Sequence, residues 1–204
     1  MKKTLLVGAL VVPLVALGTY FAFGRPPRAE PGFRSGIFEP PREAPAFILD
    51  GSNGKKLRLS DHLGKVVIVE FGFTFCQTVC PITLARLTEV HEKLGSAARD
   101  VQLVYVTVDP ARDTPQRLRE HLTYFNPSFL GATGTRDEVA AVLKAYGVVA
   151  EQVVSRNPAL GYEVNHSSFL YLVDRQGMIR GLVPFGTPAD DILHDVELLL
   201  KMRT

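Results

Sequence analysis

The sequence contains no tryptophan and only two cysteines, Cys76 and Cys80. Two thiols four positions apart cannot staple a chain as the scattered pairs of a secreted disulfide scaffold do, so their role is local. An excess of charge is missing as well. The 23 Lys and Arg against 21 Asp and Glu leave a net charge of +2. That balance gives no electrostatic case for nucleic acid, and no nucleic-acid partner is expected. Internal repeats and low-complexity tracts are absent, which sets aside solenoids and arrays. What remains is an ordinary globular composition, 46% hydrophobic and 22% charged over 204 residues, enough for one domain with a full core and an N-terminal appendage.

The one long uncharged apolar run lies near the N-terminus. Met1-Lys2-Lys3 is followed by residues 4–23 without a charge, and Arg25 closes the stretch. At about 1.5 Å per residue this run spans a hydrocarbon core of roughly 30 Å. Residues 1–24 are therefore expected to form a transmembrane anchor. Lys2 and Lys3 would keep the N-terminus cytoplasmic and place the rest outside, on the periplasmic face of the inner membrane in a bacterium. A signal peptide cut near Ala16-Leu17-Gly18 is the competing reading, and either one exports the chain. No cysteine lies near this segment to carry a lipid. Residues 25–45 hold Pro26, Pro27, Pro31, Pro40, Pro41 and Pro45, which predicts an extended spacer without regular hydrogen bonding. Residues 46–204 are expected to form the globular domain.

There the pattern alternates. Phe47-Ile48-Leu49 and Leu57-Arg58-Leu59 flank an Asn53-Gly54 turn and predict a hairpin. Val66-Val67-Ile68-Val69-Glu70-Phe71 and Val101-Gln102-Leu103-Val104-Tyr105-Val106-Thr107-Val108 are nearly continuous apolar runs, as central strands covered on both faces require. A helix over residues 81–94 lies between them. Thr114-Pro115 opens the next helix, with Thr as cap and Pro at the first helical position. Thr135-Arg136-Asp137-Glu138 is a capping box ahead of the stripe Val139, Val142, Leu143 and Tyr146. Residues 149–164 read as a long irregular loop. Residues 168–173 and 178–183 predict a second hairpin, and Thr187-Pro188 starts a last helix. Strand, helix and strand followed by a terminal hairpin and helix is the layout of an α/β, thioredoxin-like fold, here with an N-terminal β-hairpin extension.

The cysteines follow the first central strand, in Phe73-Thr74-Phe75-Cys76-Gln77-Thr78-Val79-Cys80-Pro81. Pro81 lacks an N–H and suits the first helical position, so both sulfurs crowd a helix N-terminus. The partial positive charge there stabilises thiolate, the form that binds metal or attacks a disulfide. Three intervening residues, rather than the two usual in disulfide oxidoreductases, let both sulfurs converge on one ion. Two thiolates suit a soft cation such as Cu(I), and a third ligand would let the site hold Cu(II) too. An inert disulfide or a pair of small buried residues is the bland alternative, but it leaves an exposed loop at a helix start unexplained. Among the histidines, His62, His91, His121 and His194 sit on polar connections or beside apolar helix stripes and read as structural or solvated. His166 immediately precedes the strand 168–173. In a thioredoxin fold the connection entering that strand passes over the cysteine loop, where redox enzymes place a cis-proline; this chain has His166 and no proline. On the residues alone, metal binding and thiol exchange both remain open.

Further motifs separate them. Gly72-Phe73-Thr74, Cys76 with Cys80-Pro81, Val108-Asp109-Pro110 with Arg112-Asp113-Thr114, Gly134-Thr135 with Glu138-Val139 and Ala145-Tyr146, and His166-Ser167 with Tyr171-Leu172 occur in this order. Together they make residues 45–200 resemble the Sco/SenC family of copper chaperones. The resemblance implies a thioredoxin-fold domain tethered outside the membrane, with copper held by Cys76, Cys80 and His166. It implies cytochrome c oxidase subunit II as the partner whose dinuclear copper centre is assembled, and an upstream copper donor protein as a second partner. Asp109 matches an acidic family position and reads as support for the site or as a turn before Pro110. Gln77 stands where many members have Pro, and Asn165 where many have Asp. A thiol-disulfide reductase acting on the oxidase subunit or another exported protein is the alternative, and a thiol peroxidase the third option.

Overall fold

Two β-branched runs, Val66–Gly72 and Val101–Thr107, pair in parallel and form the centre of the fold. The structure, a computed structural model, describes residues 32–202. The predicted anchor, residues 1–24, lies outside them, and among the described residues no helix is long and apolar enough to cross a membrane.

In chain order the described strands are β1 (Gly36–Glu43), β2 (Ile48–Gly51), β3 (Lys56–Arg58), β4 (Val66–Gly72), β5 (Val101–Thr107), β6 (Leu130–Thr133), β7 (Ala150–Val154), β8 (Tyr162–His166), β9 (Phe169–Val173) and β10 (Met178–Pro184). The α-helices are α1 (Val79–Leu94), α2 (Pro115–Phe125), α3 (Arg136–Tyr146) and α4 (Ala189–Lys201). Eight strands form one sheet in the order β1-β10-β9-β4-β5-β6-β2-β3, while β7 and β8 pair only with each other. The β4-α1-β5 crossover and the β9-β10-α4 return are the thioredoxin-like arrangement read from the sequence.

Side-chain alternation along the strands divides the core into two layers. Val66, Ile68, Leu103, Tyr105 and Leu172 meet Leu84 and Leu87 of α1, Leu118 of α2 and Val196 of α4. Val67, Val69, Phe71, Val104, Val106 and Tyr171 face the other way, onto Val139 and Val142 of α3 and Val164 of β8. The strands are thus covered on both faces, as their continuous apolar pattern requires. Thr114 accepts a hydrogen bond from the Arg117 N–H, and Thr135 and Glu138 close a full capping box, both as predicted.

Four local features depart from the sequence pattern. The proline-rich stretch is not free of regular hydrogen bonding, because Gly36–Glu43 is an edge strand on β10. Its register jumps between Ile37 and Arg42, so Pro40 and Pro41 sit where no ladder hydrogen bond is demanded. The segment β6 was not predicted. It is only four residues long and contains Gly131, where a Cβ would lie 2.7 Å from the Leu118 Cβ, so the close approach of α2 dictates a residue of poor strand propensity. Residues 149–164 are not irregular, since β7 and β8 form a hairpin across most of them. Helix α1 also starts at Val79 rather than Pro81, which puts Cys80 inside its first turn.

At the end of β4, a Cβ on Gly72 would stand 2.3 Å from the Tyr105 hydroxyl and 2.7 Å from Tyr105 Cζ. Gly72→Ala is therefore expected to cost about 1–3 kcal/mol by overpacking, read as a lower urea midpoint. An unchanged midpoint would mean that Tyr105 moves aside freely.

Candidate metal centre

The chain leaves β4 at Gly72, whose carbonyl accepts the Val108 N–H at 2.8 Å, so the loops after β4 and β5 emerge side by side. Asp113, on the second loop, accepts from the Thr74 N–H at 3.0 Å, the Thr74 hydroxyl at 2.6 Å and the Thr107 hydroxyl at 2.7 Å. This carboxylate therefore fixes the backbone two residues before Cys76. A turn in which the Cys76 N–H donates to the Phe73 carbonyl then points the chain into α1.

The N-cap residue of α1, Thr78, makes no side-chain cap hydrogen bond. The Cys76 sulfur takes that role, accepting the Cys80 N–H at 3.4 Å. Both cysteines are free thiols, Cys80 buried and Cys76 half-buried. The Cys80 thiol donates a hydrogen bond that brings the Cys76 pKa down to about 5, assisted against partial burial by the N–H groups of Cys80, Thr78 and Val79. The same hydrogen bond and burial push the Cys80 thiol strongly up. One proton is thus shared unequally, with thiolate at Cys76 and thiol at Cys80.

His166 ends β8, and its Nε2 lies 3.9 Å from Cys80 Sγ. Its Nδ1 is 3.0 Å from the Ser167 carbonyl, an oxygen that only accepts. The proton therefore belongs on Nδ1, and the Nε2 lone pair faces the sulfur. Phe73 holds the ring edge-on at 6.0 Å between centroids. Metal bonds of about 2.0–2.3 Å at trigonal or tetrahedral angles place two donors roughly 3.6–3.8 Å apart, so the Cys80–His166 spacing fits one ion. Among the described residues no three His, Cys, Asp or Glu side chains already close on a common point. The Cys76 sulfur is turned to the Cys80 N–H at the helix start.

Cys76 and His166 line a cleft of about 390 Å³, on whose rim stand Gln77 and Asn165, both exposed, while the buried Cys80 lies behind it. None of the other histidines lines it. His91 hydrogen-bonds with Asn126 and Ser128 at the far end of α1, while His62, His121 and His194 lie on the Leu59–His62 turn, α2 and α4. Asp109 is 1% exposed, pairs with Arg112 and accepts from the Tyr162 hydroxyl at 2.8 Å, so it supports the loops rather than facing the cleft. Sequence reasoning missed two groups. One is Asp113, whose anchoring of Thr74 depends on the side-by-side loops. The other is Glu70, buried behind Cys80 in a pocket that also touches His166. Burial raises its carboxyl well above the usual range, and its Oε2 has no hydrogen-bond partner among the described residues. A lone carboxyl in an otherwise apolar strand was the available signal.

A thioredoxin-like domain that presents two thiols at a helix start and an imidazole against the inner one defines a class of thiol and metal-binding proteins. Residues 37–201 match the SCO1/SenC family model, and the chain belongs to that family. It is 36% identical over 131 residues to an SCO2-like protein of Rickettsia felis, across 64% of each chain, so it spans about 64% of the length of such curated relatives. The fold is similar to apo Sco1 of Thermus thermophilus, with a TM-score of 0.73, 33% identity, and coverage of 84% of this chain and 99% of that one. It is similar also to yeast Sco1 with copper bound, with a TM-score of 0.72, 32% identity, and coverage of 80% and 91%.

Because thiolate is the nucleophile, alkylation of Cys76 by iodoacetamide should hold its plateau at neutral pH and fall as pH drops through about 5. Cys80 should stay unmodified throughout. A Cys76 midpoint at the ordinary thiol pKa of about 8.5 would contradict the hydrogen-bonded thiolate.

Proposed function

We propose that this chain is a copper-binding metallochaperone of the extracytoplasmic space, with Cys76, Cys80 and His166 as its ligands. The observation that carries the reading is the Cys80 Sγ to His166 Nε2 contact at 3.9 Å, formed across two separate elements beside the Cys76 thiolate. Two sulfurs and one imidazole suit Cu(I), and the nitrogen donor extends the set to Cu(II). Copper bound to yeast Sco1, a protein of similar fold and sequence, supports the choice of metal. Here copper is cargo. Cys76 is half-buried at an open cleft, so an incoming thiolate can reach the ion and replace ligands one at a time.

The recipient in this reading is subunit II of cytochrome c oxidase, whose dinuclear copper centre the chain helps to assemble, with an upstream protein as copper donor. The family resemblance supports both. Residues 1–24 serve as the membrane anchor and the proline-containing stretch after them as a spacer, on the strength of the uncharged run 4–23. A second reading, thiol-disulfide reduction, is favoured by the pairing of a thiolate at Cys76 with a protonated thiol at Cys80, which resembles a nucleophile with its resolving partner.

Anaerobic titration of the reduced chain with Cu(I) tests delivery. One equivalent is expected to bind, with binding abolished in Cys76→Ser. His166→Ala should weaken Cu(II) binding by more than the about 10–100-fold that losing an outer partner costs. No uptake by the reduced wild type would remove the copper reading. Full restoration of oxidase assembly by His166→Ala would favour reduction instead.

A further inference from the structure

The histidine rides on a hairpin that is not part of the main sheet. Something must hold β7 and β8 against the cysteine loop, or the imidazole would drift from Cys80. The Nη1 of Arg112 donates to the Leu160 carbonyl at 3.1 Å and to the Tyr162 carbonyl at 3.0 Å, both in the hairpin. Its Nε pairs with Asp109, and the Tyr162 hydroxyl closes the ring of contacts by donating to the same carboxylate at 2.8 Å. The guanidinium lies 3.7 Å from the Tyr162 ring centroid on the hairpin side and 4.5 Å from the Phe75 centroid on the cysteine side. Phe75 is the residue before Cys76, and Tyr162 is four residues before His166 on one strand. The Nη2 is buried without a hydrogen-bond acceptor, as expected of a cation held between aromatic faces.

From this geometry we infer that Arg112 is a positioning residue, which sets His166 at Cys80 by joining the cysteine loop to the hairpin. It touches none of the three donors and acts through the register of β8. Lysine is not equivalent, because its three N–H donors radiate from one atom and cannot reproduce the planar Nε and Nη1 pair that reaches Asp109 on one side and the two carbonyls on the other. Asp113 and Arg112 thus divide the work of one loop, the first fixing the chain before Cys76 and the second the strand before His166.

The inference deepens the copper reading and rests on it only for its metal readout. The test uses the full-length chain with Arg112→Lys, and with Tyr162→Phe as the milder change, each alone and combined with His166→Ala. Melting temperatures establish that each variant is folded. Arg112→Lys is expected to weaken Cu(II) about 10-fold and to alter the nitrogen hyperfine pattern in electron paramagnetic resonance. Tyr162→Phe should shift both in the same direction by less. Against His166→Ala neither change should cost anything further. Equal losses in both backgrounds, or no loss in either, would overturn the inference. A metal-free arm follows the His166 imidazole nitrogen shifts by nuclear magnetic resonance. They should move in Arg112→Lys, and an unchanged spectrum overturns positioning whatever the metal does. If the wild type takes up no copper, the copper reading fails and the imidazole shifts alone decide the role of Arg112.

Discussion

Parallel pairing of β4 with β5, in unbroken register from Val66 opposite Val101 to Gly72 opposite Thr107, is the constraint on which the site depends. Two parallel strands in register end at the same edge, so the cysteine loop and the Asp109–Asp113 loop must leave the sheet together. The antiparallel partner β9 begins at that edge and runs away from it, with Leu170 opposite Glu70, so the chain entering it also arrives there. His166 is on that arriving segment. The contact of Cys80 with His166, with Cys76 beside Cys80, is therefore a property of the sheet topology, and the loops only refine it.

Refinement is largely electrostatic. A helix start supplies N–H groups that have no intrahelical partner, and the sequence places a sulfur there instead of an oxygen cap. Cys80, in the first turn of the helix, is shielded from water and gives its proton to the contact with Cys76 rather than to solvent. The pair is left with one negative charge, next to an imidazole whose free lone pair faces inward. A soft cation would take the place of the remaining thiol proton between the two sulfurs.

Much of this was legible in residue patterns, for identifiable reasons. The central strands β4 and β5 are buried on both faces and so read as unbroken apolar runs, and the caps of α2 and α3 depend on residues three apart. The cysteines were legible because their chemistry is scarce in the chain. The edge strand β1 and the hairpin β7–β8 were hidden because neither has two buried faces: Pro40 and Pro41 mask the first, and exposed polar residues such as Glu151 and Asn165 mask the second. Arg112 and Asp113 acquire their roles only from long-range contacts, of which spacing along the sequence gives no sign, whereas Glu70 stands out only as a carboxyl in an apolar run.

The central claim is that three side chains from two separated segments form one copper site. X-ray absorption at the copper edge on the full-length chain loaded with one equivalent of Cu(II) tests it most directly. The account predicts two sulfur scatterers and one imidazole nitrogen, the nitrogen signal disappearing in His166→Ala and one sulfur in Cys76→Ser. A copper shell of oxygen and nitrogen alone, or one unaltered by both substitutions, would contradict it.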